Sequence, residues 1–488
     1  MADTVTVTNR ARNVCHACML RKKACDKILP TCGFCASHQR LCRYDLSQPK
    51  SRVHRASNPG RYFVPLRSPS PTLTPTRPST LCVSPQSVDE SLNQLAQHYT
   101  QLTKLTYDSI IDHYFRAFHK WLPALSPDSL RRDASRYREE GRLPPADFTV
   151  LLLTMLLNIL PTLDPSLRPP RASQEILYTT TKSALSQAQA SLCTSLRLVQ
   201  AALLIALREY ASLRPETAYI SMMTCAGLAR VMGIKIPSVS DSRLEAKERE
   251  NLAWSIAMLE RLILCEMDQR DLQPQTEYPG PDCRLPSDFN PTAGLESQPG
   301  SDLQALNQGT LPGLDAADAA LFGRQAQSVF LLERLLFITR STARNPEIKL
   351  AELTELDSKV RSFLEVLLNE LDWWQTLVCV STALCVRLLF LLHQSILDTL
   401  EYPKSESDHQ NMGRSSSGLD MVCRWVLDVV KWQGEDKAMI MPICTFYNLR
   451  AATKRLQERN KHVVVELLSR VIDDLLGAQE AYHKTWVF

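Results

Sequence analysis

Apolar positions from about residue 88 onward recur at the spacing of an α-helix. Between residues 105 and 122 they fall three or four positions apart, which places them on one face of a helix. This face is formed by Tyr107, Ile110, Ile111, Tyr114, Phe115, Phe118, Trp121 and Leu122. The same spacing recurs over 149–160, 175–210, 216–234, 243–268, 316–343, 350–400, 419–432 and 462–487. Because no alternating strand pattern accompanies these stretches, the sequence predicts an all-α domain over 88–488, with loops near 271–315 and 403–417.

Two apolar runs in this domain raise the question of membrane insertion. The run "TVLLLTMLLNIL" is too short to span a bilayer, and Arg387 interrupts the run "LVCVSTALCVRLLFLLH". Both are therefore predicted to be buried helices, and no membrane partner is expected.

Residues 1–87 do not share the helical periodicity. Residues 1–46 contain six cysteines, whereas 47–87 are rich in Ser, Pro, Thr and Arg and are predicted to form a disordered linker. The first fourteen residues lack the apolar core of a signal peptide. The cysteines are therefore expected in a reducing compartment, where clustered thiols bind metal more often than they form disulfides.

Charge divides the chain in the same way. The net charge is +4, and the segment 1–67 holds thirteen Lys or Arg and three Asp, a balance of +10 that leaves −6 for the remainder. A basic N-terminal segment before a mildly acidic domain predicts a module that binds a polyanion, joined to a domain with another role.

The six N-terminal cysteines form a duplicated pattern. They are Cys15, Cys18, Cys25, Cys32, Cys35 and Cys42, spaced C-x2-C-x6-C-x6-C-x2-C-x6-C. The second three follow the first three at one constant offset, so each half supplies the same three thiols. Structural zinc takes four tetrahedral ligands, often thiolates. Six thiolates complete two zinc ions if two of them bridge, or one zinc ion with two cysteines left over, and the repeat favours two Zn²⁺ ions.

This array closely resembles that of the fungal zinc binuclear cluster transcription factors, whose common form has the same spacings. The resemblance implies that Cys15 and Cys32 bridge the two zinc ions. It assigns the outer ligands as Cys18 and Cys25 for one zinc and Cys35 and Cys42 for the other. Pro30 matches the loop proline of the family, and Asp26 matches its usual Cys-Asp step.

The two halves of the array differ in charge, which indicates the side that would face DNA. The first half has "MLRKKA" between its second and third cysteines, and the second has "ASHQRL". By the resemblance, Arg21 and Lys22 fall on the central basic pair that approaches base edges in the major groove, and CGG-type triplets are the implied target. Met19 and Ala24 stand where the family usually carries positive charge. A basic run of this kind can otherwise be a solvated face or a nuclear import signal.

Charge gives an independent reason to expect DNA binding. Two Zn²⁺ ions and six thiolates sum to −2, so the segment would keep a charge of about +8, which favours DNA through counterion release. A basic side chain on a small metal-locked helix can meet guanine O6 and N7. Lys23, Lys27, Arg40 and Arg43 complete the predicted DNA-contacting set. For Arg40 and Arg43, phosphate contacts and solvated charges are equally compatible with the sequence.

Three stretches of the α-helical domain resemble the regulatory domain of fungal transcription factors, over residues 105–290. "IIDHYFRAFHKWLPALSP" is similar to its opening aromatic helix, and "AYISMMTCAGLARVMGIK" to the segment that ends in Leu-Gly-Leu-His. "KERENLAWSIAMLERLILCE" is similar to its helix running from Glu-Arg-Glu through Trp to Asp-Arg. The matching positions there are Glu248, Arg249, Glu250, Trp254, Glu260 and Arg261.

Leu92, Leu95, Tyr99 and Leu102 follow a 3-4-3 rhythm ahead of these stretches. A short dimeric coiled coil, which many members of the family carry, and the first helix of the α-helical domain are both compatible with this rhythm. A homodimer is therefore one of the expected states.

The α-helical domain shows no motif of an active site. No G-x-S-x-G, P-loop or dinucleotide-binding pattern stands out, so the protein is not expected to be an enzyme. Its cysteines in apolar runs are interpreted as small buried residues, with a redox or ligand sensor as the alternative. These cysteines are Cys193, Cys225, Cys265, Cys379, Cys385, Cys423 and Cys444.

Together these features predict a nuclear, DNA-binding regulator of RNA polymerase II transcription, partnered by promoter DNA and the transcription machinery. The habits of the resembled family imply an activator that controls a metabolic or secondary-metabolite biosynthetic gene cluster. The alternative is a zinc-stabilised protein-interaction module or corepressor scaffold without specific DNA recognition, for which partner binding would be insensitive to salt.

Overall fold

The chain forms two compact units, Met1–Ser79 and Thr80–Phe488, here called the head and the body. The computed structural model describes residues 11, 14–20, 23–44, 85–119, 121–191, 194–236, 244–269, 271–279, 283, 285–288, 321–341, 345–370, 379–403, 405–433, 442–462 and 466–487. The linker predicted over 47–87 lies outside the described residues, apart from its last three positions.

The described residues are mostly helical and contain no strand, which confirms the predicted fold class. The head has two short helices, α1 (His16–Leu20) and α2 (Gly33–Ser37). The body has α3 (Pro85–Thr103), α4 (Tyr107–Ala117), α5 (Pro127–Glu139), α6 (Ala146–Ile159), α7 (Arg171–Ser191), α8 (Leu196–Ala211), α9 (Pro215–Val231), α10 (Leu244–Cys265), α11 (Leu321–Arg340), α12 (Pro346–Glu370), α13 (Val380–Thr399), α14 (Glu406–Gln433), α15 (Thr445–His462) and α16 (Glu466–Trp486).

Helices α3 to α10 form a first bundle around α6 and α8. Nearly every residue of α6 is buried, because α3, α4, α7 and α8 pack around it. The predicted aromatic face of α4 lies in this core, where Tyr114, Phe118 and Trp121 are all buried. This bundle therefore accounts for the first of the two long apolar runs, which becomes α6.

Helix α3 belongs to the same core. Leu92 and Tyr99 are buried, Leu95 packs against the core, and the helix contacts α6 and α7. Of the two interpretations of this rhythm, the first helix of the body is the one observed. Leu92 and Tyr99 are consequently not available for a coiled-coil seam in this arrangement.

Helices α11 to α16 form a second bundle with α13 at its centre. By length and composition α13 is apolar enough to cross a membrane, but 67% of its most apolar window is buried among its neighbours. It packs against α11, α12, α14 and α15. Arg387 in this helix donates two hydrogen bonds to Glu266, at 2.8 and 2.6 Å, and so stays paired inside the body. The prediction of a buried helix here agrees with this packing.

The C-terminal helices connect the second bundle to the first. The Tyr447 hydroxyl donates to the Tyr210 carbonyl at 2.9 Å, and the Tyr482 hydroxyl donates to the Ala211 carbonyl at 3.0 Å. A smaller apolar cluster around Trp254 also joins α10 to α11 and α13. The two bundles therefore share buried contacts within one body.

The prediction of a loop near 403–417 is wrong for most of these residues, because α14 begins at Glu406. Its polar sequence is helical because a reciprocal cap starts it: the Asp408 amide donates to Ser405 Oγ at 3.1 Å, and the Ser405 amide donates to Asp408 Oδ2 at 3.0 Å. The described part of 271–288 is non-helical, as predicted, and residues 289–320 lie outside the described residues.

Candidate metal centre and nucleic-acid interface

Four thiols meet at the centre of the head. The Sγ atoms of Cys15, Cys18, Cys32 and Cys35 all lie within 4.8 Å of one another, and all four residues are buried. Cys15 Sγ is 3.7 Å from both Cys32 Sγ and Cys35 Sγ, and Cys18 Sγ is 3.7 Å from Cys32 Sγ. The cysteines that the spacing predicted as one centre are therefore brought together.

The donor set fits zinc. A tetrahedral site with Zn–S bonds of about 2.3 Å separates its sulfur atoms by about 3.8 Å, close to the 3.7 Å observed between these thiols. A disulfide would need a separation of about 2 Å, and all six head cysteines are free. Thiolates that converge at this distance can hold a metal ion, and zinc would supply the crosslink between the two halves.

The repeat in the sequence of the head is also a repeat of structure. Helices α1 and α2 start one residue after the first cysteine of each half and have the same length. In each half the amide four residues after that cysteine donates to its carbonyl, at 3.0 Å for Met19 and 2.9 Å for Ala36. After each helix the chain turns through a backbone hydrogen bond that spans five residues. The Lys23 amide donates to the Cys18 carbonyl at 3.1 Å, and the Arg40 amide donates to the Cys35 carbonyl at 2.9 Å. Both halves thus present their thiols in the same way.

Each half also closes the helix of the other. The Gly33 amide at the start of α2 donates to Asp26 Oδ2 at 2.9 Å, and the His16 amide at the start of α1 donates to the Arg43 carbonyl at 2.9 Å. Positions 26 and 43 are related by the same offset as the cysteines of the two halves. A Cβ atom at Gly33 would lie 2.6 Å from Asp26 Oδ2, so the side-chain brace depends on glycine there.

The outer thiols occupy matching positions at the edge of the centre. Cys25 and Cys42 are both half-buried, in contrast to the four buried thiols. Cys42 Sγ accepts a hydrogen bond from the Cys32 amide at 3.4 Å, and Cys25, Asp26 and Cys32 form a second group of potential ligand atoms. The Tyr44 hydroxyl lies 3.9 Å from Cys25 Sγ and donates to the Ile28 carbonyl at 2.9 Å. Each outer thiol therefore approaches the shared Cys32.

Burial and hydrogen bonding shift the pKa values of the head thiols in different directions. Burial raises the pKa of Cys35 to about 12 and also raises the pKa of Cys15 and Cys18. For Cys32, burial acts in the same direction, but hydrogen bonds that begin with the Cys35 amide outweigh it and lower the pKa. The pKa of Cys42 is likewise lowered, against burial, by the Cys32 amide. A bound metal ion would replace the protons of these thiols, so metal binding is coupled to proton release.

The predicted DNA-contacting residues are only partly described. Arg21 and Lys22, the proposed base-reading pair, lie outside the described residues. Lys23, Arg40 and Arg43 are exposed, and Lys27 is half-buried with a backbone φ of 65°. Lys23 and Arg40 follow α1 and α2 at equivalent positions, so the head presents a basic side chain beyond the end of each helix. Their contact with DNA stays a prediction.

The first motif glutamate of the body joins three segments. Glu248 Oε1 accepts hydrogen bonds from the Ser126 amide at 3.1 Å, from Gln200 Nε2 at 2.8 Å and from Arg197 Nη1 at 3.1 Å. The side chain of Arg197 reaches Asp133 at 2.9 Å as well. Glu248 therefore fastens α10 to α8 and to the loop before α5, which is a structural role.

The Glu-Arg pair at the end of the same motif fastens the irregular segment after α10. Glu260 accepts from the amides of Gln275 and Thr276 at 2.6 and 3.0 Å, and Arg261 donates to the Thr276 carbonyl at 2.6 Å. Arg261 also pairs with Glu333 of α11 at 3.1 Å. This network explains why two charged residues are buried near the C-terminal end of α10.

The described cysteines in the apolar runs of the body are buried or half-buried. Cys225, Cys385, Cys423 and Cys444 are buried, Cys265 and Cys379 are half-buried, and Cys193 lies outside the described residues. Burial raises the pKa of Cys385, Cys423 and Cys444 to about 12. Such thiols stay protonated and react slowly, which agrees with a packing role.

Comparison with known proteins identifies part of the body. The sequence model of the fungal specific transcription factor domain matches residues 111–290. The match contains Glu248, Glu260 and Arg261, and it agrees with the resemblance over 105–290. The search of curated proteins found no match. No family model for a two-zinc, six-cysteine cluster matches the head, whose assignment rests on its own residues and geometry. Through residues 111–290 the chain is similar to fungal regulators of transcription, a non-enzymatic class.

Proposed function

We propose that the protein is a sequence-specific, DNA-binding regulator of RNA polymerase II genes. The head would locate a promoter in the nucleus, and the body would control or recruit the transcription machinery. The observation that carries this proposal is the duplicated thiol centre in a segment with a charge balance of +10. The match of the body to a transcription factor domain supports the same conclusion.

The head would hold two Zn²⁺ ions through its six cysteines. By the resemblance, Cys15 and Cys32 are the proposed bridging thiolates, and the 3.7 Å between their Sγ atoms is compatible with that role. Cys18 and Cys25 would complete one site, and Cys35 and Cys42 the other. Zinc would act structurally here, because thiolate sites of this kind are closed to substrate.

Arg21 and Lys22 are the proposed sequence-reading residues, with CGG-type triplets as the target. Arg and Lys recognise guanine O6 and N7 in the major groove. Lys23, Lys27, Arg40 and Arg43 would contact phosphates and so contribute affinity without sequence preference. Activation of a metabolic or secondary-metabolite biosynthetic gene cluster, and a homodimer on paired half-sites, belong to the same proposal.

The proposal is tested with the full chain, by fluorescence anisotropy on a duplex with two CGG triplets and on a duplex with both triplets scrambled. The double variant Arg21→Ala, Lys22→Ala should lose the preference for CGG by about tenfold or more, while metal analysis still counts two zinc ions per chain. The double variant Arg40→Ala, Arg43→Ala should instead weaken binding to both duplexes equally and reduce the salt dependence of binding.

A matched control is the exposed pair Arg131 and Arg132 on α5, whose replacement by Ala should change neither duplex. An affinity that is the same for both duplexes and does not change with salt concentration would overturn the proposal in favour of a protein-interaction module. A count of one zinc per chain would overturn the two-zinc centre while leaving DNA binding open to the anisotropy result.

A further inference from the structure

A polar trough runs between α12 and α14 in the second bundle. Helix α13 packs against both helices and forms its floor. Three adjoining cavities, of about 480, 410 and 560 Å³, make up the trough. They adjoin because they share residues: Thr354 and Asn411 line the first and second, and Arg361 and Arg414 line the second and third. The trough lies outside the part of the chain that matches the transcription factor domain.

The middle cavity is lined almost entirely by polar side chains. Its walls carry four hydroxyl groups, an amide, two carboxylates, two guanidinium groups and the His393 ring, and Ile396 is the aliphatic member of the described lining. A volume of about 410 Å³ is in the range of small-molecule sites. This lining favours a small ligand with several hydrogen-bonding groups over an apolar one.

His393 lies at the floor of this cavity without a hydrogen bond. Its side chain is 1% exposed, and among the described residues neither ring nitrogen has a hydrogen-bond partner. The nearest carboxylate oxygen, Asp357 Oδ1, is 3.6 Å from Nε2, which is too long for a hydrogen bond. A buried imidazole left in this state is costly, so its nitrogens call for partners from whatever fills the cavity.

The ring is held in place by α14, along the edge that carries Nε2. A Cβ atom at Gly418 of α14 would overlap the imidazole, so the backbone of α14 packs directly against it. Burial lowers the pKa of His393, with Asp357 opposing and Arg361 reinforcing the shift. The neutral ring offers one donor and one acceptor in a fixed position.

Two side chains of opposite charge in the same cavity have no partner among the described residues. Arg361 is engaged by Asp357 one turn earlier on α12, with Nε donating to Oδ1 at 3.2 Å. Arg414 on α14 and Glu365 on α12 are exposed side chains that line the cavity and take part in no hydrogen bond or ion pair within the described part of the chain. A cation and a carboxylate that face one cavity, both unpaired as far as the described residues extend, complement a ligand that carries both charges.

We infer that this trough is a binding site for a small zwitterion of the amino-acid type. The ligand's carboxylate would pair with Arg414 and its ammonium group with Glu365. Its remaining polar atoms would meet His393 and the wall hydroxyls. Neither a simple anion nor a simple cation satisfies both of these side chains, and a neutral apolar molecule satisfies neither.

The test uses the full chain and follows its tryptophan emission during thermal unfolding, which reports on the body because Met1–Ser79 contains no tryptophan. The probes are the common amino acids at millimolar concentration, followed by the N-acetyl and α-amide derivatives of those that bind. At least one amino acid should raise the melting temperature. Its two derivatives, which lack the ammonium or the carboxylate charge, should bind about tenfold more weakly or worse.

Two variants assign the charges. Arg414→Gln should weaken binding of the free amino acid, which should then bind no more tightly than its α-amide. Glu365→Gln should also weaken binding of the free amino acid, which should then bind no more tightly than its N-acetyl derivative. His393→Phe, which keeps a ring against Gly418, should reduce affinity, but the free amino acid should still bind more tightly than both derivatives. The exposed residues Arg424 and Glu458 provide the controls Arg424→Gln and Glu458→Gln, which should leave binding unchanged.

The inference is overturned if no amino acid stabilises the body, or if the derivatives bind as well as the parent compound. It is also overturned if binding persists unchanged in both Arg414→Gln and Glu365→Gln, since the ligand would then lie elsewhere. A melting temperature of each ligand-free variant close to that of the parent chain verifies that the trough has kept its fold.

Discussion

The head and the body are stabilised by different chemistry. In the described part of the head, the buried apolar positions are Ala11 and four cysteines, whereas the body buries continuous apolar cores in both bundles. We expect a unit with so little buried apolar surface to depend on a bound metal ion for folding. The body folds through hydrophobic burial and can carry paired charges inside it. The two units therefore need different experiments: the head is tested through its metal-ligating cysteines, and the body through its buried packing.

The sharpest break in the comparison is removal of the metal. Chelation should unfold the head and leave the body intact, because structural zinc contributes an apparent free energy of about 10–16 kcal/mol to small domains of this kind. Hydrogen exchange of peptides from residues 11–44 should accelerate, while the tryptophan melting temperature of the body stays the same. A drop in that melting temperature on chelation would show that the two units do not fold independently.

The next largest effect is expected from the buried ion pair of the body. Arg387→Met leaves the Glu266 carboxylate buried without its partner and should cost about 3–5 kcal/mol of unfolding free energy in urea. Adding Glu266→Gln should restore a large part of that loss. The control is Lys359→Met, which removes an exposed pair with Glu355 and should cost less than about 1 kcal/mol. Equal losses in the two variants would contradict a special role for the buried pair.

Acid should weaken the body through His119. Burial lowers the pKa of His119 from 6.5 to about 4. The unfolded chain therefore binds a proton more readily, and the unfolding free energy should fall as the pH decreases from about 6.5 towards 4. At pH 5 the loss from this residue is about 2 kcal/mol. His119→Gln should remove that part of the pH dependence when urea unfolding is followed by tryptophan emission, and an unchanged pH profile would show that His119 does not contribute.

The smallest effect concerns the brace of α2. Gly33→Ala places a Cβ atom against the Asp26 carboxylate and should cost about 1 kcal/mol, the usual value of a lost helix cap. The expected readout is faster zinc transfer to a competing chelator with no change in body stability. Gly413→Ala, where a Cβ would meet no atom within 4 Å, is the matched control in the body. Zinc transfer at the parent rate would show that Asp26 can shift at no cost.

What the sequence predicts well is what periodicity and spacing encode. The helical spacing of apolar positions predicted the body, and the constant offset between the two cysteine triplets predicted that Cys15, Cys18, Cys32 and Cys35 would meet. The ends of elements were less predictable. Residues 175–210 and 350–400 are each a single apolar stretch in the sequence, but their described parts belong to two helices each. Helices α5 and α15 were missed.

The errors have local and tertiary causes. Residues 406–417 are polar and contain Gly413, so their helical state depends on the cap between Ser405 and Asp408 and on packing against α13. The trough could not be predicted, because His393, Arg414 and Glu365 come from three helices and share no motif. Periodicity describes one element at a time, whereas a binding site is a product of how elements pack.

The crossed braces of the head have a consequence for how it assembles. Asp26 of the first half holds the start of α2, and Arg43 of the second half holds the start of α1, so each helix start receives a hydrogen bond from the other half. A peptide of either half alone would present three thiols on a helix that lacks this hydrogen bond, although α2 would keep the bond from the Cys35 amide to Cys32 Sγ. We therefore expect the two halves to stabilise each other, so that damage to one half weakens the start of the helix in the other.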